Sequence, residues 1–267
     1  MTEPPDTARN AETDEVELPP AIDLPGAEAL LLLKGGEIEV IGRLVAASNA
    51  TLLVAVSDEL PGRGTIRAAA IHKPIRGERP LWDFPAGTLA AREVAAHAVS
   101  MASGWDIVPP TVMRADGPFG PGMLQLWVGT SDDVDPSGLL GTGDPRLRRI
   151  AIFDAVVNNA DRKAGHLLVR PDGLVQGVDH GVTFHVEPKL RTVLWEWRGT
   201  RLAPGELAVL RSLAARLGPR ADLGQCLAVL LAPEEVAATR ARVRALLRSG
   251  RFPQPHPDWP AVPWPWY

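Results

Sequence analysis

Cysteine is almost absent from this chain. Its 267 residues include one, Cys226, so an internal disulfide cannot form and a fold held by covalent staples is excluded. Cys226 lies in the aliphatic run Cys226-Leu227-Ala228-Val229-Leu230-Leu231, which predicts a buried, inert thiol. Basic charge is short as well: 28 Lys and Arg against 32 Asp and Glu leave a net charge of -4, without the positive footprint of a nucleic-acid binder. Long apolar runs are missing. Leu30 to Leu33 is far too short to cross a bilayer, and the first residues carry acids and prolines where a secretory signal needs positive charge and an apolar core. These absences point to the cytoplasm. What is present is apolar content of 45%, enough for a substantial core in one bilobed domain or two small ones.

The chemistry concentrates in Asn158 to Val169 and in Gly177 to Gly181. Ile150, Phe153, Val156 and Val157 fall at helical spacing, so the polar run Asn158-Asn159-Ala160-Asp161-Arg162-Lys163 starts where an amphipathic helix ends. Leu167-Leu168-Val169, the turn Pro171-Asp172-Gly173 and Leu174 to Val178 predict two short strands folded back on each other. That hairpin returns Asp179 to the neighbourhood of Asp161. Two carboxylates so placed suit phosphoryl transfer, one orienting the acceptor proton and the other holding a divalent cation against nucleotide phosphates. Taken alone, the Asp161-Arg162 pair reads as a surface ion pair, a kind that stabilises little.

Asp161-Arg162-x-x-x-His166, the hairpin and Asp179-His180-Gly181 resemble the catalytic and metal-binding loops of the phosphatidylinositol 3-/4-kinase-like branch of the kinase superfamily, to which HipA-type and secretory-pathway kinases are related. With Lys73-Pro74 through Phe84-Pro85, Val108 to Thr111 and Leu190 to Trp197, the longer string is similar to an actinobacterial family of phosphatidylinositol 3- and 4-kinase-like proteins. The resemblance implies an α+β fold with a β-rich N-lobe and a mainly helical C-lobe. It also implies ATP and Mg²⁺ as cofactors, with an unidentified phosphoacceptor.

Along the chain, residues 1–22 are acidic and poor in apolar side chains, which predicts a disordered tail. Residues 23–130 are the expected nucleotide-binding N-lobe, 131–251 the C-lobe, and 252–267 a Pro- and Trp-rich strap. Ile38 to Val45 and Thr51 to Val56 predict two strands. In the kinase reading the turn between them covers phosphates with Ser48 and Asn49 where glycines are usual. Thr65 to His72 predicts a further strand ending in Lys73. Thr88 to Ser103 predicts a helix, with Thr88 as N-cap and Gly104 as stop. A strand lysine and the helix glutamate Glu93 match the ion pair that positions phosphates in kinases. Gln125, Leu126, Trp127 and Val128 fall where the inter-lobe hinge meets adenine. Three helices are predicted over 204–217, 221–231 and 233–249; on the last, Arg240, Arg244, Arg248 and Arg251 form an arc that leaves room for peripheral membrane contact.

The resemblance thus assigns Lys73 to the α/β phosphates, Glu93 to holding Lys73, Asp161 to the acceptor and Asp179 to the metal. Two positions depart from the pattern. His166 stands where an asparagine ligates a second metal, and Lys163 stands where histidine is usual. An imidazole suits softer metals than Mg²⁺, so His166 either touches the site without ligating or moves the preference to Mn²⁺, while Lys163 can neutralise the transferring phosphate. Two other readings stay open. A nucleotide-binding pseudokinase or scaffold accommodates the departures. A metal-dependent hydrolase could draw on Asp161, His166, Asp179, His180 and His185, although it leaves Lys73 and Glu93 without a role.

Overall fold

The computed structural model describes residues 19, 22, 24–44, 49–131 and 133–267. Most of the expected acidic tail over 1–22, and Ser48 in the first turn, lie outside the described residues. Helix α1 (Gly26–Gly35) leads into β1 (Glu37–Leu44), β2 (Thr51–Leu60) and β3 (Gly64–Pro74). After α2 (Leu89–Ser103), β4 (Thr111–Arg114) and β5 (Gly122–Leu126) complete an antiparallel sheet in the order β1-β2-β3-β5-β4. The apolar run in β2 is buried at Val54 and Val56 because α1 covers it with Ala29, Leu32 and Leu33.

Where β5 begins it runs very close to the end of β3. A Cβ on Gly122 would lie 2.4 Å from the Lys73 carbonyl oxygen, so only glycine lets the two strands meet where Lys73 emerges. Lys73 itself pairs with Met123 in register.

Helix α2 forms as its sequence predicts, but its cap differs. Thr88 has φ -111° and ψ -7°, a helical backbone that does not aim its hydroxyl at the helix amides, and it donates instead to the Pro85 carbonyl. The Glu78 carboxylate takes over the capping role and accepts the Ala90 N–H at 2.9 Å. The helix ends at Gly104, which has φ 70°. Its buried face, Ala95, Ala96 and Val99, belongs to the core of the C-terminal helices and not to the core beneath the sheet.

The C-terminal part comprises α3 (Pro145–Val157), the short hairpin β6 (Leu167–Val169) and β7 (Val175–Gly177), and α4 (Pro204–Arg216), α5 (Asp222–Leu230) and α6 (Pro233–Ser249). Ile150, Phe153, Leu210, Leu213, Leu227 and Val243 share one core. Cys226 corrects the expectation of a buried thiol: it is exposed, because α5 buries Leu223, Gly224 and Leu227 and turns the neighbouring position outward. On the arginine arc of α6 two side chains are tied to the body. Arg240 donates to the Leu217 carbonyl and Arg251 to that of Gly199, while Arg244 and Arg248 are exposed. Among the described residues no helix is long and apolar enough to cross a membrane.

Residues 252–267 follow α6 as a Pro- and Trp-rich strap. Phe252 is buried, the Ala261 carbonyl accepts from Thr192 N and from the Trp195 indole, and the Trp266 carbonyl accepts the Ala164 N–H at 2.9 Å. The strap therefore ends on the loop that follows α3.

That loop depends on the helix before it, and α3 is capped by Asp144, whose Oδ1 accepts the Arg146 N–H at 2.8 Å. Asp144→Ala is expected to cost about 1 kcal/mol. A lower urea midpoint with an unchanged slope checks this.

Candidate active site

A cleft of about 470 Å³ opens between the sheet and the C-terminal part. Thr51, Ile71 and Lys73 line it from the sheet, Gln125 to Val128 from the connecting segment, and Asp161, Lys163, His166 and Asp179 from below. Every site residue expected from the sequence and described here lines this cleft or contacts a residue that does: Asn49 lines it, and the buried Glu93 touches Lys73. The loop over 75–87 contributes no residue to the lining.

Lys73 is the centre of the arrangement. Its Nζ donates to Glu93 Oε1 at 2.6 Å and to Asp179 Oδ1 at 2.8 Å. The other oxygen of Glu93 accepts the His180 backbone N–H at 2.8 Å, so α2 holds both the lysine and the chain just after Asp179. Burial alone would lower the Lys73 pKa, but the Asp179 and Glu93 carboxylates outweigh it and hold the ammonium well above its ordinary value. The same ammonium keeps the Asp179 carboxyl well below the usual carboxylate range. Asp179 sits at φ 59°, an uncommon conformation for a side-chain-bearing residue.

On the opposite wall, burial raises the Asp161 pKa, against the Lys163 ammonium 3.4 Å away. His166 Nε2 lies 3.5 Å from Asp179 Oδ2, and burial pushes its pKa down to about 4, which leaves the imidazole neutral at neutral pH. In the segment Gln125 to Val128 part of the backbone is already paired. The Leu126 and Trp127 amides donate to Pro110 and Ala69 carbonyls, and the Gln125 side chain donates to Thr111 Oγ1 at 2.8 Å, because the sheet continues through this segment.

The side chain that orders this wall is one the sequence did not single out. Arg162, which a lone Asp-Arg pair would leave at the surface, is fully buried. It forms a double hydrogen bond with Asp154 of α3, at 3.0 Å from Nε to Oδ2 and 3.0 Å from Nη2 to Oδ1. Its Nη1 donates to the Val178 carbonyl at 3.0 Å, and its Nη2 lies 2.6 Å from His180 Nε2. Burial drives the His180 pKa well below its ordinary value, with the Arg162 charge acting in the same direction, so the ring is neutral and accepts the guanidinium proton at Nε2. Asn159 extends the network, donating to Asp154 Oδ1 and accepting the Asp161 N–H, both at 3.0 Å. Gly177 completes it, since a Cβ there would lie 3.0 Å from the guanidinium nitrogens. A signal for this existed: Asp154 falls on the apolar stripe of Ile150, Phe153 and Val157, where a carboxylate requires a buried partner.

The hydrolase ligand set does not assemble. His180 is spent on Arg162, His185 packs edge-on against Phe84, and among the described residues no group of three or more His, Cys, Asp or Glu side chains could hold a metal ion.

No family model matches the chain. It is 42% identical over 269 residues to Protein Rv2133c of Mycobacterium tuberculosis (strain ATCC 25618 / H37Rv), with 88% of this chain and 94% of that one covered. The chain belongs to the Rv2133c family. Among solved structures, a Helicobacter pylori proinflammatory kinase, CtkA, aligns with 82% of this chain and 94% of its own at 11% identity, with a TM-score of 0.45. The structure of hydra Fam20 with sugar aligns with 85% of this chain and 89% of its own at 15% identity, with a TM-score of 0.50. That likeness is one of fold, and this Rv2133c-family chain has a kinase-like, bilobed α+β architecture.

Removing one partner of the buried pair strands the other. Arg162→Ala is expected to lose roughly 3–5 kcal/mol of stability. The double variant Arg162→Met/Asp154→Leu is expected to lose much less, as equilibrium denaturation of the two proteins will measure.

Proposed function

We propose that this chain is an ATP-dependent phosphotransferase acting on a hydroxyl acceptor. The observation that carries the reading is Lys73 Nζ held between Glu93 and Asp179, at 2.6 and 2.8 Å, in a cleft shared with Asp161. On this reading residues 23–130 form the nucleotide-binding lobe and 131–251 the catalytic lobe. Lys73 contacts the α/β phosphates, and Asn49 and the segment Gln125 to Val128 border the nucleotide. The motif resemblance to the phosphatidylinositol 3-/4-kinase-like branch supports the same roles. The single cysteine fits a cytoplasmic setting.

The chemistry follows from the positions of the two acids. The acceptor oxygen bonds to the γ-phosphorus, the bond from that phosphorus to the bridging oxygen breaks, and its electrons leave with ADP. Asp161 orients the acceptor hydroxyl and takes its proton. Lys163 offsets negative charge on the phosphoryl oxygens. Positioning and charge neutralisation carry most of the rate in such transfers.

The donor set fits a divalent cation. Asp179 has a side chain 46% exposed to the cleft, and its Oδ2 faces the neutral imidazole of His166. Asp179 would hold the ion with His166 beside it, a pairing of oxygen and nitrogen donors that suits Mn²⁺ better than Mg²⁺. Such a cation, when bound, offsets the charge of the nucleotide phosphates.

Two variants test the assignment. Asp161→Asn is expected to bind metal-nucleotide as the wild type does and to lose turnover by roughly 10²- to 10⁴-fold. Asp179→Ala is expected to weaken metal-dependent nucleotide binding. Titration calorimetry with ATP, with and without Mn²⁺ or Mg²⁺, together with ADP release, reads both. Equal affinity in all three proteins under every condition removes the site assignment.

The pH profile follows from Asp161. A base must be ionised to take a proton, so turnover falls as pH falls through the pKa of Asp161, which burial has raised above its ordinary 3.8. The acid limb of kcat is therefore expected above that value. It should show no inflection from His166 near pH 6.5, since that ring stays neutral down to about 4. His166→Asn is expected to shift metal preference toward Mg²⁺, measured as the ratio of Mg²⁺ to Mn²⁺ binding constants in the presence of nucleotide.

A further inference from the structure

Helix α2 faces an unusual demand. Glu93 must meet Lys73 from a helix whose buried face, Ala95, Ala96 and Val99, carries no charged group to set its angle. Next to Glu93 on the helix lies a charged group that does. The residue before Glu93 is Arg92, which points about 100° away around the helix. It is 1% exposed. Its Nη2 pairs with Glu235 Oε1 of α6 at 2.5 Å, and its Nη1 donates to the Thr183 carbonyl at 2.6 Å. Its Nε donates to Thr88 Oγ1 at 3.3 Å, and its guanidinium stacks 4.9 Å from the Phe84 ring centroid.

Each partner of Arg92 is itself anchored. Glu235 Oε2 accepts the Ala232 N–H at the start of α6 at 3.0 Å, so the carboxylate is tied to its own helix end. Thr183 Oγ1 donates to the His180 carbonyl at 2.7 Å, while the His180 N–H donates to Glu93. Arg92 and Glu93 thus grip the two ends of the segment from His180 to Thr183.

We propose that Arg92 is the positioning residue for the Lys73–Glu93 pair, locking α2 to α6 so that the pair is assembled before nucleotide arrives. This rests on the phosphotransferase reading for its catalytic meaning. A buried ion pair is a poor device for stability alone, since apolar side chains of similar volume hold an interface as well or better. What it adds is direction: swinging α2 away would strand a buried guanidinium and a buried carboxylate together.

The test uses the full chain and three readouts: the urea midpoint, kcat and KM for ATP, and the rate at which an amine-reactive ester acylates Lys73 without nucleotide, followed by peptide mass spectrometry. In Arg92→Met/Glu235→Leu both charges leave together. The midpoint is expected to stay near wild type, while Lys73 acylation rises and kcat falls, each by roughly 10- to 100-fold. Glu235→Gln keeps the shape and a neutral acceptor, and is expected to raise Lys73 acylation by roughly threefold. Wild-type acylation of Lys73 in both variants overturns the proposal. Faster acylation in the variants of a protein whose wild type turns over no ATP keeps the positioning role and overturns the phosphotransferase reading instead.

Discussion

The buried guanidinium of Arg162 is the constraint on which the floor of the cleft depends. A charge with no exposure is tolerable only if every donor finds an acceptor, and here the acceptors come from α3, from the chain after β7 and from His180. Satisfying that one side chain fixes the spacing between the loop bearing Asp161 and the loop bearing Asp179. The Asp179 carboxylate is also held by Lys73, but the placement of both acids starts from their backbone. Both are placed by backbone that the guanidinium network pins, including the Asp161 amide through Asn159.

The upper wall follows a different logic. The sheet supplies Lys73 through a strand end squeezed against Gly122, while α2 supplies Glu93 from a helix that packs on the lower core. The boundary between the two lobes therefore does not follow the boundary between sheet and helices. Near it, Lys189 is almost buried, paired with Asp83 at 2.6 Å and flanked by the rings of Trp82 and Trp259, so the loop before α2 is fastened to the strap across the same interface. There too a charged pair joins the two halves.

Much of this was legible from residue order. Helices and strands followed from apolar spacing, the β6–β7 hairpin from its Asp-Gly turn, and the meeting of Lys73 with Glu93 from a lysine at a strand end and a glutamate in the second turn of the next helix. What sequence could not give was phase and allegiance. The aliphatic run around Cys226 had the composition of a core but no indication of which positions faced inward. The alanines of α2 suit either core equally. Thr88 has the chemistry of a cap without the backbone for it. Arg162 looked like a surface residue because a partner eight positions earlier on a helix is hidden from local reading, although Asp154 on an apolar stripe hinted at it. The strap is fastened in part by backbone carbonyls at Ala261 and Trp266, which composition does not encode.

The bridge from Lys73 to both carboxylates carries a thermodynamic consequence for anything that enters the cleft. The Lys73 ammonium is already neutralised on two sides, so an anion entering the cleft meets no unpaired charge at that position. On the proposed function, nucleotide entry would be a trade of partners, in which Asp179 would yield part of its hold on the ammonium. Affinity would then report the difference between two compensated charge arrangements.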